Sequence, residues 1–154
     1  MRTTVHKPSR GIHANCFLEL YQIRSSFYKG DFQSVVDEPI NNLTRSDEAQ
    51  LYKYRARIEL GQSAAVAAEM AKVGNTSAGF EAVKAYANYQ SGDKAKAVHD
   101  INELIQAHAD DNTVQVIGAT VMYLEGHADE ALELLSKHEN NLEAYSFYDK
   151  RINF

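Results

Sequence analysis

The sequence predicts an all-α protein built of stacked helix pairs, and three observations support this prediction. A glycine recurs in one context at four places, in FYKGDFQSVV, IELGQSAAVA, NYQSGDKAKAV and YLEGHADEAL. The recurrence is about every 31 to 34 residues, a period typical of helical-hairpin repeats. Apolar residues at helical spacing precede and follow each glycine, and nothing in the sequence has the pattern of a strand. We therefore predict about four helix hairpins and a partial fifth helix.

Each of these glycines stands where the first helix of a pair must end. The backbone there needs a left-handed conformation, which glycine adopts at little cost. The next residue caps the second helix, and Asp31 and Asp93 are good N-cap types. Gln62 and His127 are poorer caps, so their hairpins depend more on packing. Five residues past each glycine the helices should cross closely on a modest side chain. These positions hold Val35, Val66, Ala97 and Ala131.

Two further features concern the ends of the predicted helices. Pro39 cannot continue a helix without losing a hydrogen bond and clashing one turn back, so the second helix should end or kink near Glu38. Val73 and Leu124 continue the apolar spacing of their segments, so we assign them to the buried faces.

Outside the periodic part, the chain has two segments of different character. Residues 1–16 lack apolar periodicity and are predicted to form a disordered or extended leader, with the solenoid occupying 17–154. The final stretch, NNLEAYSFYDKRINF, begins as a fifth first helix would, with Asn141 as its cap, and stops before a partner helix. We expect a truncated solenoid with a frayed C-terminus, because end repeats bury their apolar faces on neighbours.

Composition argues against several classes of function. The net charge of −5 gives no basic footprint for nucleic acid. No apolar run is long enough to cross a bilayer, so any membrane association should be peripheral. The single cysteine, Cys16, excludes an intrachain disulfide and favours a cytoplasmic location.

The sequence also lacks the motifs of catalysis. There is no GxGxxG, phosphate-binding loop, GxSxG or HExxH, and none of the six histidines has a partner at metal-ligand spacing. We therefore predict no enzyme activity, no cofactor and no metal. A helical enzyme accessory stays an alternative that would need a pocket uniting His99 or His127 with two carboxylates.

Counting back from the four glycines gives two sets of equivalent positions on the first helices. One set is Arg24, Arg55, Tyr86 and Thr120, and the other is Phe27, Ile58, Tyr89 and Tyr123. These eight residues, called the predicted stripe, are expected to line a concave partner-binding face. An apolar, aromatic groove with two arginines would suit an amphipathic helical ligand. The alternative is that the aromatic residues are ordinary core between repeats.

Four blocks of the sequence resemble a known family. They are ELYQIRSSFYKGDFQSVVDE, LYKYRARIELGQ, VKAYANYQSGDKAKAV and TVQVIGATVMYLEGHADEAL. In this order they are similar to epsilon-COP, the tetratricopeptide subunit of the COPI vesicle coat, roughly over residues 17–144. The resemblance implies a right-handed superhelical solenoid of tetratricopeptide-like hairpins. The family continues through several more repeats after Ala144, so the chain corresponds to its N-terminal half.

The resemblance also implies a function. Members of the family are non-enzymatic coat components that bind and stabilise the C-terminal domain of alpha-COP in Golgi-to-ER retrograde and intra-Golgi transport. They are cytoplasmic and peripheral on Golgi membranes and COPI vesicles. The alternative function is a generic tetratricopeptide adaptor that binds a short peptide or helix.

Overall fold

The computed structural model describes residues 12–40, 43, 45–74 and 76–137, and every regular element within them is an α-helix. The helices are α1 (Ile12–Lys29), α2 (Phe32–Asp37), α3 (Ser46–Glu59), α4 (Ser63–Met70), α5 (Ala78–Ser91), α6 (Lys94–Ala107), α7 (Asn112–Leu124) and α8 (Ala128–Ser136). They follow one another as four hairpins, α1–α2, α3–α4, α5–α6 and α7–α8. The prediction of an all-α fold is confirmed for this part of the chain.

The turn inside each hairpin is built in the same way. Its glycine has a positive φ, of 82°, 82°, 114° and 89° at Gly30, Gly61, Gly92 and Gly126. The residue after the glycine donates its amide hydrogen to the carbonyl five residues earlier, at 2.9 to 3.1 Å. This 6→1 bond is the Schellman arrangement that closes a helix C-terminus. The predicted left-handed turns are therefore confirmed.

The helix ends agree with the sequence in position, although one cap lacks its side-chain hydrogen bond. The Asp31 carboxylate accepts from the Ser34 amide at 3.3 Å and begins α2. α2 ends at Asp37, and Glu38 is extended with ψ of 127°, because a residue before proline is driven out of the helical region. Asp93 is the N-cap residue of α6, as predicted, but its side chain makes no cap hydrogen bond.

The hairpins stack so that each second helix contacts the next first helix. Successive first helices also contact one another, from α1 through α3 and α5 to α7. The four predicted crossing residues are buried, at 0 to 5 % exposure. Val73 and Leu124 are 43 % exposed, which corrects their assignment to buried faces. Val73 lies past the end of α4, and Leu124 is the last residue of α7.

The buried residues form separate clusters. The N-terminal cluster joins α1, α2 and α3 and includes Leu20, Ile23, Val35 and Tyr52. The central cluster extends from α3 to α7, and a smaller third cluster joins α7 to α8. Because α3 presents Tyr52 to the first cluster and Tyr54 to the second, it belongs to two cores.

At the chain ends, the comparison with the sequence is limited. α1 begins at Ile12, within the segment assigned to the leader. The rest of that leader, and the predicted fifth helix with its cap Asn141, lie outside the described residues. None of the described helices combines the length and apolar character needed to cross a membrane.

Candidate partner-binding surface

The structure divides the predicted stripe into buried and accessible members. Five lie in the core at 4 to 7 % exposure, namely Arg55, Ile58, Tyr86, Tyr89 and Thr120. Most of each side chain is covered, although Arg55 also lines a cavity, and partner contact at these five residues stays a prediction. Arg24 and Phe27 are half-buried, and Tyr123 is 44 % exposed. Partner contact at these three residues stays a prediction.

The buried tyrosines of the stripe place their hydroxyl groups against carboxylates of other repeats. Tyr86 donates to Glu59 Oε1 at 3.0 Å, and Tyr89 donates to Glu125 Oε1 at 2.5 Å. The bond to Glu125, together with burial, raises the pKa of Tyr89 to about 12. A buried hydroxyl without a partner would be costly, so these bonds let the two rings serve as core residues.

Arg55 is buried by aromatic contacts. Its guanidinium carbon lies 4.7 Å from the centroid of the Phe27 ring and 5.2 Å from that of Tyr52. These two rings contact each other edge to face, with centroids 5.4 Å apart. A planar guanidinium stacks well on such faces. Arg55 thus joins α3 to α1 and stabilises the first interface between repeats.

A cavity of about 500 Å³ opens between the first helices of successive hairpins. One wall comes from α1 and α3 and the turn before α3, with Arg24, Arg45, Glu48, Leu51, Tyr52 and Arg55. The opposite wall comes from the start of α5 and the segment from α6 into α7, with Ala78, His108, Asp110, Asp111, Asn112 and Thr113. We call it the arginine cavity. It brings Arg24 and Arg55 of the predicted stripe together.

Two small residues at the start of α5 lie at or beside this cavity. Ala78 lines it, and the neighbouring Gly79 allows the first helices to approach closely. A Cβ on Gly79 would lie 3.2 Å from Thr113 Cβ and 3.4 Å from Leu51 Cδ1. A Cβ there would require Thr113 to shift by a few tenths of an ångström, so Gly79 suits the close approach of α7 to α5.

The arginines of the cavity all lie on the α1–α3 wall, whereas the opposite wall carries Asp110 and Asp111. Arg24 and Arg45 both form ion pairs with Glu48. Burial of the Arg24 guanidinium opposes its charge, but Tyr52 and Glu48 beside it leave the pKa of Arg24 raised above its usual value. On the opposite wall, Asp111 accepts from the Thr113 and Val114 amides at 2.8 and 3.0 Å and caps α7.

Sequence reasoning missed most of the cavity lining, although a signal for it was present. Two lining residues, Glu48 and Thr113, occupy one equivalent position on α3 and α7, and Gly79 occupies the same position on α5 without lining the cavity. This position lies about seven residues, or two helical turns, before the position of Arg55. Counting further back from each glycine would have reached these helix starts. The cavity was not expected because small residues there carry no apolar pattern.

The structure also tests the condition for the enzyme alternative. His99 lies 3.7 Å from Asp100 through Nδ1 and 3.8 Å from Glu103 through Nε2, and its side chain is 69 % exposed. A second cavity, of about 420 Å³, is lined by Asp100, Glu103 and residues of α5. Neither cavity is lined by His99 or His127. In the part of the chain described, these histidines therefore lie outside both cavities.

Stacked helix hairpins with a cavity across successive first helices define a helical-repeat protein, a class that presents extended binding surfaces. The family model of the coatomer epsilon subunit matches residues 18–148, which is most of the chain. The chain belongs to the coatomer epsilon subunit family, a family of COPI coat subunits. No curated protein and no solved structure matches it. The resemblance recognised in the sequence is thus confirmed.

Proposed function

We propose that this chain is a structural interaction subunit of the COPI coat that binds the C-terminal domain of alpha-COP and stabilises it. The observation that carries the proposal is the family match, which extends from within α1 through α8. In this role the protein serves Golgi-to-ER retrograde and intra-Golgi transport. It acts in the cytoplasm, peripherally on Golgi membranes and COPI vesicles, and without catalysing a reaction.

The proposal includes the architecture of a right-handed superhelical solenoid of tetratricopeptide-like hairpins. Its support is the repeated Schellman turn and the contact of each first helix with the next. Such stacking aligns the first helices side by side, which is how helical repeats create a continuous binding surface.

On this surface we assign the partner to the arginine cavity. The cavity spans α1, α3, α5 and α7, so a single extended segment can contact several repeats at once. Arg24 and the exposed Tyr123 are the members of the predicted stripe that a partner can reach most directly.

Co-elution with the alpha-COP C-terminal domain tests the proposal. The full chain and the purified domain are mixed and separated by size exclusion, with circular dichroism first establishing that the chain is helical. We expect a stoichiometric complex and a higher melting temperature for both proteins, because a ligand that binds only the folded state stabilises it. An unrelated helical-repeat protein is the control. A folded chain that elutes apart from the domain contradicts the proposal.

A generic adaptor that binds a short peptide is the second candidate. Its support is the size of the arginine cavity, about 500 Å³, which is in the range of small-ligand sites. Alanine at Tyr86 or Tyr89 does not test this candidate, because both rings are buried and their loss would disturb folding. A peptide library panned on the folded chain would favour the adaptor if it returned tight ligands unrelated to alpha-COP.

A further inference from the structure

A sequence motif of the first helices recurs near the C-terminus. On α1 and α3 it reads LYQIRSSF, over 20–27, and LYKYRARI, over 51–58. Both have an apolar residue, a tyrosine, two further residues, an arginine, two residues and a second apolar residue. The stretch FYDKRINF, over 147–154, has the same order of residue types. This C-terminal copy lies outside the described residues, but the contacts of its two counterparts are known and indicate how it can pack.

The C-terminal copy is also in register with the four hairpins. Leu20 and Leu51 begin the motif on α1 and α3 and lie 31 residues apart. Val116 holds the same position on α7, ten residues before its glycine, and Phe147 follows Val116 by 31 residues. The family match ends at residue 148, so it includes the start of this copy. A first helix at this place would therefore continue the same repeat.

The arginine of the motif joins successive first helices at the first interface. The Arg55 guanidinium lies 4.7 Å from the Phe27 ring, which belongs to the preceding first helix α1. It also lies 5.2 Å from the ring of Tyr52, on its own helix. A guanidinium over aromatic faces is attracted by their electron density, and the attraction is larger where water is excluded. The motif therefore supplies one ring and the cation, and the preceding repeat supplies the other ring.

Arg151 of the C-terminal copy has aromatic residues at the same two places. Tyr123 precedes it by 28 residues, as Phe27 precedes Arg55, and Tyr148 precedes it by three residues. Neither of the two interfaces in between combines an aromatic residue with an arginine at these positions. The pairing of ring and arginine thus marks the first interface and the one that would follow α7.

α7 presents an accessible apolar surface where this contact would form. Tyr123 is 44 % exposed and Leu124 is 43 % exposed. The counterparts of Tyr123 on the three preceding first helices are half-buried at Phe27 and buried at Ile58 and Tyr89. Each of those residues lies on a helix that contacts the next first helix. Within the described residues no first helix follows α7, so its surface matches those that the other three helices cover.

Lys150 differs in character from its counterpart on α3, the buried Tyr54. The Tyr54 hydroxyl donates to Glu69 on α4 at 3.1 Å, and its ring meets Phe80 on α5 edge to face, with centroids 6.1 Å apart. This position therefore faces the second helix of its own hairpin and the following first helix. A lysine at position 150 is compatible with packing on α7, because the preceding first helix lies on another side.

We infer that residues 145–154 form a fifth first helix that packs on the C-terminal half of α7, with the Arg151 guanidinium over the rings of Tyr123 and Tyr148. Phe27 stays half-buried beneath Arg55, so Tyr123 would keep an edge that a partner can reach. A docked C-terminal segment takes the place of the frayed end expected from the sequence. This contact lies within the chain and does not depend on binding to alpha-COP.

Amide hydrogen exchange of the full chain, followed by mass spectrometry, tests the inference. The reference is a synthetic peptide of residues 141–154, which is too short to hold a stable helix alone. In the full chain the amides of 145–154 should exchange slower than in the peptide by roughly tenfold or more, because packing on α7 protects them. Exchange at the rate of the peptide overturns the inference. Protection that increases with protein concentration would assign the surface to a second copy and also overturns it.

Three variants test the assignment to Arg151. Arg151→Ala and Tyr123→Leu should each speed exchange in 145–154, and the double variant should be no faster than either, because both changes remove one contact. Lys150→Ala removes a neighbouring cation, is the matched control, and should exchange as wild type does. Circular dichroism establishes that each variant is folded. Equal acceleration by Lys150→Ala and Arg151→Ala overturns the assignment, as does a double variant in which the two single effects multiply.

Discussion

The N-terminal and central clusters hold neighbouring helices together by different chemistry. In the first, the Arg55 guanidinium lies over the rings of Phe27 and Tyr52. In the second, aliphatic side chains pack closely, and Tyr86 and Tyr89 direct their hydroxyls to carboxylates. Arg55 and Tyr86 occupy the same place in their repeats, and both are buried. The repeat thus determines which positions are buried. The residue type at each buried position determines whether its polar group contacts aromatic rings or donates a hydrogen bond to a carboxylate.

The largest expected effects come from truncating one large buried side chain in each cluster in turn. Ile23→Ala in the N-terminal cluster and Ile101→Ala in the central cluster should each lower the free energy of unfolding by about 2 to 5 kcal/mol, because each removes a side chain at 1 to 2 % exposure. Chemical denaturation measures the loss. Val73→Ala, at an exposed position, is the control and should change it by less than about 0.5 kcal/mol.

Hydrogen exchange on the same two variants tests whether the clusters are separate units. In stacked repeats the loss should stay near the altered repeat. Ile23→Ala should speed amide exchange in α1 to α3, and Ile101→Ala should speed it from α3 to α7. Identical patterns in the two variants would mean one cooperative core and would remove the distinction between the clusters.

Arg55→Ala should have the next largest effect, a loss of about 2 to 3 kcal/mol, because a desolvated cation over two rings and its buried stem are removed together. Arg57→Ala is the matched control. Its guanidinium lies 5.9 Å from the Tyr54 ring in a more exposed position, so its loss should be under about 1 kcal/mol. Thermal unfolding compares the two. Equal losses of stability would show that the two ring contacts of Arg55 add no stability beyond that of the more exposed Arg57.

Tyr89→Phe should cost about 1.5 kcal/mol through loss of the hydrogen bond to Glu125. The effect should also depend on pH. The pKa of Tyr89 is raised to about 12 in the folded chain from 10.0 in a free tyrosine, so the folded state keeps its proton longer. Above pH 10 the unfolded state binds fewer protons than the folded state. The stabilisation by the Tyr89 hydroxyl is therefore lost as the pH rises from 10 through about 12.

Melting temperatures between pH 8 and 12 check this prediction. The difference between wild type and Tyr89→Phe should be constant below pH 10 and shrink above it. Tyr21→Phe, on a ring that is 62 % exposed, is the control and should follow wild type throughout. A difference that does not change between pH 10 and 12 would contradict the role of the hydroxyl.

Glu69→Gln should have the smallest effect, about 0.5 kcal/mol, because its contacts lie near the surface. Glu69 accepts from Arg57 Nη1 at 2.7 Å and from the Tyr54 hydroxyl at 3.1 Å. The hydrogen bond from Arg57 is the largest influence on the pKa of Glu69 and lowers it. Burial raises this pKa and the hydrogen bond from Tyr54 lowers it, so that it lies below 4.5. Its contribution is therefore present above pH 4.5 and is lost as the pH falls.

Unfolding at pH 7 and pH 3 checks the sign for Glu69. The free energy of unfolding of wild type should be slightly larger than that of Glu69→Gln at pH 7, and the two values should be equal at pH 3. Glu103→Gln, with a side chain 71 % exposed, should show no difference at either pH. A larger difference in the free energy of unfolding between wild type and Glu69→Gln at pH 3 than at pH 7 would contradict the expected pH dependence.

The hairpins could be predicted from the sequence because their demands are local. A helix end that needs a positive φ selects glycine, and Pro39 ends α2 whatever its neighbours are. The missing side-chain hydrogen bond of the Asp93 cap has a related reason. An aspartate can precede a helix without its side chain turning to the first amides, and the residue type does not distinguish the two cases.

The binding surface was harder to predict because exposure is a property of neighbours. Spacing placed Arg24 and Arg55 on equivalent positions, but the rings over Arg55 come from two different helices. Ala78 lines the arginine cavity with a small side chain, and the neighbouring Gly79 allows the first helices to approach closely. A search of the sequence for apolar periodicity cannot detect the space that is left beside a small residue.

The four glycine turns have a practical consequence for labelling the protein. At each of them a built Cβ would meet no atom within 4 Å, so the turns face open space. They lie at the C-terminal ends of the first helices, and α5 contributes only its first residue, Ala78, to the arginine cavity. Loop tips of this kind tolerate inserted residues. An affinity tag or fluorophore sequence inserted beside Gly92 would therefore report on partner capture from the end of α5 that is away from the cavity.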